Sequence, residues 1–241
     1  MTDSHGLLSI VTFLGVGLVF GLKHATEVDH VVAVSTIAAQ QRNVLRSSLV
    51  GVLWGAGHTA TLLVVGVVVL SLRVAIPESV STWLEFCVAL MIIGLGMAAL
   101  WRASRQRSDV HVHKHSHDGL SHVHIHFHES ETRHEVEQKH THDVSAIGIK
   151  PMLIGIVHGL AGSGALTLLV LTQINSAWLG FVYLAIFGLG SIVGMLFMSA
   201  LIGLPFALTW RNLSSVHQRL QVAAAVVSIA FGLWYAYETA F

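Results

Sequence analysis

The sequence predicts an all-α, polytopic membrane protein of about six transmembrane helices, built as two inverted three-helix repeats. Composition is the first reason: 54% of the 241 residues are hydrophobic, 11% are charged and mean hydropathy is +0.70, a balance suited to lipid rather than water. The second is a succession of apolar runs, each near the roughly 20 residues that cross a bilayer at 1.5 Å rise. The third is an internal echo. Gly21-Leu22-Lys23-His24-Ala25 lies over Gly155-Ile156-Val157-His158-Gly159, and Gly55-Ala56-Gly57-His58 over Gly188-Leu189-Gly190-Ser191. An odd number of helices per half forces the halves into opposite orientations, with any shared site near the midplane between them.

The first run, Leu7 to Ala39, exceeds one straight crossing, and polar residues from Lys23 to His30 interrupt it near its middle. An unwound turn is tolerated at that depth if protein or a water-filled cavity surrounds it. Met1 to Gly6 carries no Lys or Arg, so the run is expected to be a retained span, not a cleaved signal. Ser48–Leu72 and Val80–Trp101 complete a first half over 1–101, and 102–148 form a polar loop. The second half, 149–241, contributes Ile149–Thr172, Leu179–Leu208, where Pro205 offers a kink, and His217–Ala236. Trp83, Trp101, Trp178, Trp210 and Trp234 fall near span ends, as an interfacial belt requires, whereas Trp54 does not. Cys87 is the only cysteine, which excludes an internal disulfide and a thiolate cluster; it is expected to be a small core hydrophobe.

Short-loop charges set the orientation. Arg42, Arg46, Arg102, Arg105, Arg107, Lys150, Arg211 and Arg219 gather on one side against Arg73 on the other. By the positive-inside rule this is an integral protein of the cytoplasmic membrane with both termini outside and the long loop in the cytoplasm. Zero formal net charge supplies no field for nucleic acid, which leaves the bilayer as the main partner.

Within the first span, His24-Ala25-Thr26-Glu27-Val28-Asp29-His30 crowds ionisable groups where each costs about 2 kcal/mol or more, which marks a functional site. Counting 1.5 Å per residue from the predicted cytoplasmic ends puts His58 about 16 Å deep, His158 about 14 Å and His30 about 15 Å, all near mid-membrane. Three spans thus bring imidazole to one depth, a donor set suited to nickel, cobalt, copper or zinc, with carboxylates supplying charge or orienting the rings. On a regular helix His24, Glu27 and His30 form a stripe about 120° wide while Asp29 points about 140° away, so either the helix unwinds or Asp29 serves another helix. Lys23 is expected to pair with Glu27 at i,i+4. His5 and His217 are read as interfacial.

The segment His24 to His30, a histidine, four intervening residues and then Asp29-His30, resembles the signature of the nickel/cobalt transporter superfamily, including Ala25 and the acid Glu27. Gly57-His58-Thr59 is similar to the Gly-His-Ser segment of that family's second helix. The acidic motif of its eight-helix permeases is absent, and Val157-His158-Gly159-Leu160-Ala161-Gly162-Ser163-Gly164 resembles instead the six-helix branch that includes urease-accessory-type membrane proteins. The resemblance implies that His24, Asp29, His30 and His58 recognise Ni2+ or Co2+ as cargo; Glu27 and His158 join them on the argument from depth and charge.

The loop from His111 to His142 holds eleven of seventeen histidines, with His111, His113, His115, His117 and then His122, His124, His126, His128 at every second position. Such a tract chelates metal by composition, and Asp118-Gly119 suits a hairpin turn between two quartets. A loop of this kind would buffer or deliver metal in the cytoplasm, with a metal chaperone as one recipient, and it fits capture before export better than storage after import.

No Gly-rich Lys-Ser/Thr loop is present to drive transport with nucleotide, so the expectation is a secondary carrier of Ni2+ or Co2+ with no resident cofactor and no catalytic activity. A zinc carrier uses the same donors. From other classes come an intramembrane serine protease with Ser163 as nucleophile and a metal sensor that moves nothing.

Overall fold

The computed structural model describes residues 2–41, 43–74, 76–105, 110–117, 120–127, 148–173, 176–210 and 213–241. Among the described residues, seven helices and one two-stranded ribbon follow in chain order: α1 (Thr2–His24), α2 (Val28–Ala38), α3 (Val44–Leu72), α4 (Glu78–Arg105), β1 (Val110–His117), β2 (Leu120–Phe127), α5 (Lys150–Gln173), α6 (Ala177–Thr209) and α7 (Ser214–Ala240). The chain is a helical membrane protein. Among the described residues α3, α4, α6 and α7 are each long and apolar enough to cross a bilayer, and the pair α1–α2, bent by 54°, adds a fifth crossing if taken as one span. The helical expectation holds for the membrane part, and the ribbon takes the hairpin that the loop's alternating histidines allow, since their period is that of a strand.

The long first run breaks where its polar residues predict. α1 stops at His24 and α2 starts at Val28, and the corner uses its own backbone: Thr26 N–H donates to Lys23 O at 2.9 Å and Glu27 N–H to His24 O at 3.0 Å. The Thr26 hydroxyl also donates to Lys23 O. Carbonyls at the end of α1 are therefore paired despite the break, the condition for irregular backbone at membrane depth. At the other helix ends, Asn43 accepts the Arg46 N–H at 2.8 Å to start α3, and Arg73, at φ 52°, ends it in the left-handed conformation.

Packing runs between the helices before the ribbon and those after it. α1 lies on α6, α3 on both α5 and α6, and α4 on α7, while α2 is inserted among α4, α6 and α7. Missing side chains allow the closest approaches: a Cβ at Gly21 would run into the Phe187 carbonyl and one at Gly190 into that of Leu18, where α1 meets α6. Where α3 meets α5, Gly57 abuts the Met152 carbonyl and Gly155 that of Trp54. Hydroxyls add polar ties, with Thr59 Oγ1 donating to Gly188 O at 3.1 Å, Thr61 Oγ1 to Ile156 O at 3.2 Å and Ser228 Oγ to Ile92 O at 3.1 Å. Val32, Ala33, Val34, Trp54, Val88, Ile92 and Met195 fill the core around α2.

Trp83, Trp101, Trp178 and Trp234 are exposed near helix ends, as an interfacial belt requires, and Trp54 is fully buried. Cys87 is exposed on α4, not in the core, because α4 is a perimeter helix whose outward face meets the surroundings.

Candidate functional site

Four imidazoles from four helices meet beside the α1–α2 corner. His24 ends α1, His30 lies in the first turn of α2, and His58 and His158 sit near the middle of α3 and the first half of α5. All four are buried, His58 completely. Ring centroids lie 4.5 Å apart for His24 and His30, 5.0 Å for His24 and His58, 4.1 Å for His30 and His158, and 6.1 Å for His58 and His158. The glycine contacts explain the gathering: Gly57 precedes His58, Gly155 lies one turn before His158, and Gly21 lies nearly one turn before His24.

Two carboxylates organise the rings. Asp29 Oδ1 accepts from the His30 backbone N–H at 2.9 Å and faces His30 Nδ1 at 3.0 Å, while its Oδ2 lies 2.8 Å from His158 Nε2. Asp29 thus serves α5, as the angle on a regular helix requires. Glu27 Oε2 lies 3.0 Å from His24 Nδ1, and its side chain remains 55% exposed at the corner. His24 Nε2 and His58 Nε2 share a hydrogen bond of 3.1 Å.

A neutral ring that donates through one nitrogen presents a lone pair at the other. With Asp29 accepting from His30 Nδ1 and His158 Nε2, the lone pairs fall on His30 Nε2 and His158 Nδ1. With Glu27 accepting from His24 Nδ1, His58 Nε2 must donate to His24 Nε2, and its lone pair falls on Nδ1. Those three atoms, His30 Nε2, His58 Nδ1 and His158 Nδ1, are buried with no hydrogen-bond partner among the described residues. Two sets of donors lie close enough to grip one ion, His24 with His30 and His58, and Asp29 with His30 and His158.

All six intramembrane residues expected from the sequence, His24, Glu27, Asp29, His30, His58 and His158, therefore come together. Lys23 does not: the expected Lys23–Glu27 pair gives way to His24–Glu27, because the helix ends at His24 and the i,i+4 spacing no longer applies. Trp54 is an addition that sequence reasoning missed. Its indole stacks on the His30 ring at 5.6 Å and 10° and reaches within 5.5 Å of His158. The one signal was its position away from the span ends. His217, in the first turn of α7, is buried, bonding Thr209 Oγ1 at 3.2 Å and Gln221 Nε2 at 3.0 Å. The side chains of His5 and Ser163 lie outside the described residues, as do Asp118, Gly119 and His128; the other seven loop histidines singled out occupy β1 and β2.

Comparison with known proteins gives the decisive match. The chain is 39% identical to the urease accessory protein UreH of Bacillus sp. (strain TB-90) over 236 residues, 98% of this chain and 94% of that one. The chain belongs to the UreH family. That membership places it with an accessory protein of an enzyme, not with an enzyme. Two Arabidopsis thaliana chloroplast proteins, FOR GROWTH AND FERTILITY 2 and 1, are 25% and 24% identical over 206 residues; these cover 85% of this UreH-family chain but 50% and 53% of the plant proteins. No family model and no solved structure matches.

Proposed function

We propose that this UreH-family protein carries Ni2+, and Co2+ as the next choice, across the cytoplasmic membrane as a secondary transporter. The observation that carries the reading is the set of buried, unpartnered imidazole nitrogens on His30, His58 and His158, oriented by Asp29 and Glu27. A buried polar atom without a partner is costly, and a dication is the partner this donor set suits. Cargo exchanges water for His30 and His58, and for His24 once its hydrogen bond with His58 is given up, while Asp29 and His158 offer the adjoining donors and neutralising charge. Relationship to a urease accessory protein is in keeping with nickel, and the resemblance of His24 to His30 to the nickel/cobalt superfamily signature supports the same ion class.

Six crossings in two inverted halves agree with the packing. Exchanging α1 with α5, α3 with α6 and α4 with α7 maps the α1–α6 contact onto α5–α3 and leaves α3–α6 and α4–α7 unchanged. The matched glycines Gly21 and Gly155, and Gly57 and Gly190, then occupy equivalent crossings. Rocking of one half against the other exposes the site alternately.

The test is metal flux in proteoliposomes with the intact chain, His24→Ala and a deletion of residues 111–142. Deletion is expected to alter the rate and His24→Ala to abolish flux, with Ni2+ outcompeting Zn2+. An intact chain that binds Ni2+ but moves none would make it a sensor and end the carrier reading.

A further inference from the structure

The histidine-rich ribbon has a register, and register carries more than composition. β1 and β2 pair antiparallel with His111 opposite His126, His113 opposite His124 and His115 opposite His122. Directly opposed residues share a face, so these six positions and that of His117 lie on one face. The other face pairs Val110 with Phe127 and Val112 with Ile125, followed by Lys114 with Val123 and Ser116 with Ser121. A histidine-rich tract that bound metal by composition alone would need no such segregation.

We propose that the three opposed histidine pairs are built binding positions for imidazole-preferring dications, and that binding fastens β1 to β2. Opposed Cβ atoms in an antiparallel pair lie about 4.5–5.5 Å apart, which lets two imidazoles place a nitrogen each about 2 Å from one ion. Successive pairs follow at about 6.8 Å along the strands, so each pair holds its own ion with water completing its coordination. A lone two-stranded hairpin is marginal in water, and an ion that binds only the paired form draws the equilibrium toward it. The connection of two residues fixes the register, so the pairs cannot re-form by slippage. The choice of ion class rests on the function proposed above; the ribbon's own geometry does not.

Two composition-preserving variants of the full chain test this, each also carrying His30→Ala, which breaks both membrane donor sets, so that the ribbon is read apart from the membrane site. In the first, Val112→His, His113→Val, Lys114→His and His115→Lys move two β1 histidines to the opposite face and leave only His111 opposed to His126. The second adds His122→Val, Val123→His, His124→Ile and Ile125→His in β2, which restores opposition at 112 with 125 and 114 with 123. Equilibrium dialysis with Ni2+ alone should show about three ions bound by the His30→Ala parent, about one in the first variant and about three again in the second. Amide hydrogen exchange over 110–127 should slow with Ni2+ in the parent and second variant only. Equal binding by all three chains would mean chelation by composition and overturn the proposal. Ribbon binding as expected in an intact chain that moves no ion would refute the carrier and leave this inference standing.

Discussion

A neutral imidazole has one N–H and one lone pair, so the acceptor at one edge decides which nitrogen at the other edge can hold a metal. Asp29 performs this service for two rings at once, His30 and His158, and Glu27 for His24. Asp29→Asn keeps the shape but removes the charge and places an amide where an acceptor is needed, so Ni2+ affinity should weaken about 10- to 100-fold, the usual consequence of losing a ligand's orienting partner. Isothermal titration of the purified protein checks it; unchanged affinity would remove Asp29 from the site. Trp54, stacked on His30, provides an internal probe. Ni2+ should quench a buried tryptophan component in the intact protein, and Trp54→Phe should abolish that quenching while keeping a ring against His30. The cost of burying charge made His24, Asp29 and His30 legible in the sequence, and equal depth made His58 and His158 legible. The partner of Glu27 and the place of Trp54 were not, because both depend on where α1 stops and how α3 turns against its neighbours. Cys87 misled for a related reason: an apolar helix has no polar face to show which side meets lipid.

At the scale of elements, the close crossings hold the rings together. Gly155 lets α5 approach the Trp54 carbonyl and indole, and His158 follows within the next turn. Gly155→Ala should destabilise the protein by about 1–3 kcal/mol through overpacking and lower Ni2+ affinity by shifting His158. Gly94→Ala, with nothing within 4 Å of the added carbon, should be neutral or stabilise by up to about 1 kcal/mol from helix propensity. Denaturation of both variants in mixed micelles compares them, and equal midpoints would show that the α3–α5 approach is not tight. The break in the first run was readable from its length and its polar middle. Its sharpness was not, since the 54° bend depends on the Lys23 and His24 carbonyls finding Thr26 and Glu27, a local pairing that hydropathy does not encode. The ribbon was readable from period-two histidines around a turn-forming pair, whereas its register required backbone pairing.

At the scale of the whole molecule, the site draws on residues from both sides of the ribbon. His24, Asp29, His30 and His58 come from residues before the ribbon and His158 from after it, while the crossings of α1 with α6, α3 with α5 and α4 with α7 all join one half to the other. In lipid, where the hydrophobic effect does not drive helices together, close packing and interhelical hydrogen bonds hold such halves in place. Here these are the glycine crossings and the bonds from Thr59 to Gly188, Thr61 to Ile156 and Ser228 to Ile92. A covalent link through the ribbon is then dispensable for assembly. Fragments 1–109 and 148–241, produced together, should copurify through a tag on one of them and bind Ni2+ at the membrane site with near-intact affinity. The first fragment alone keeps the His24, His30 and His58 donors but loses both the His158 partner of Asp29 and the α5 and α6 surfaces on which α1 and α3 rest. Its binding should fall at least as far as that of Asp29→Asn. A first fragment that binds as tightly as the intact chain would place the whole site before the ribbon, and the proposed inverted-repeat mechanism would lose its support.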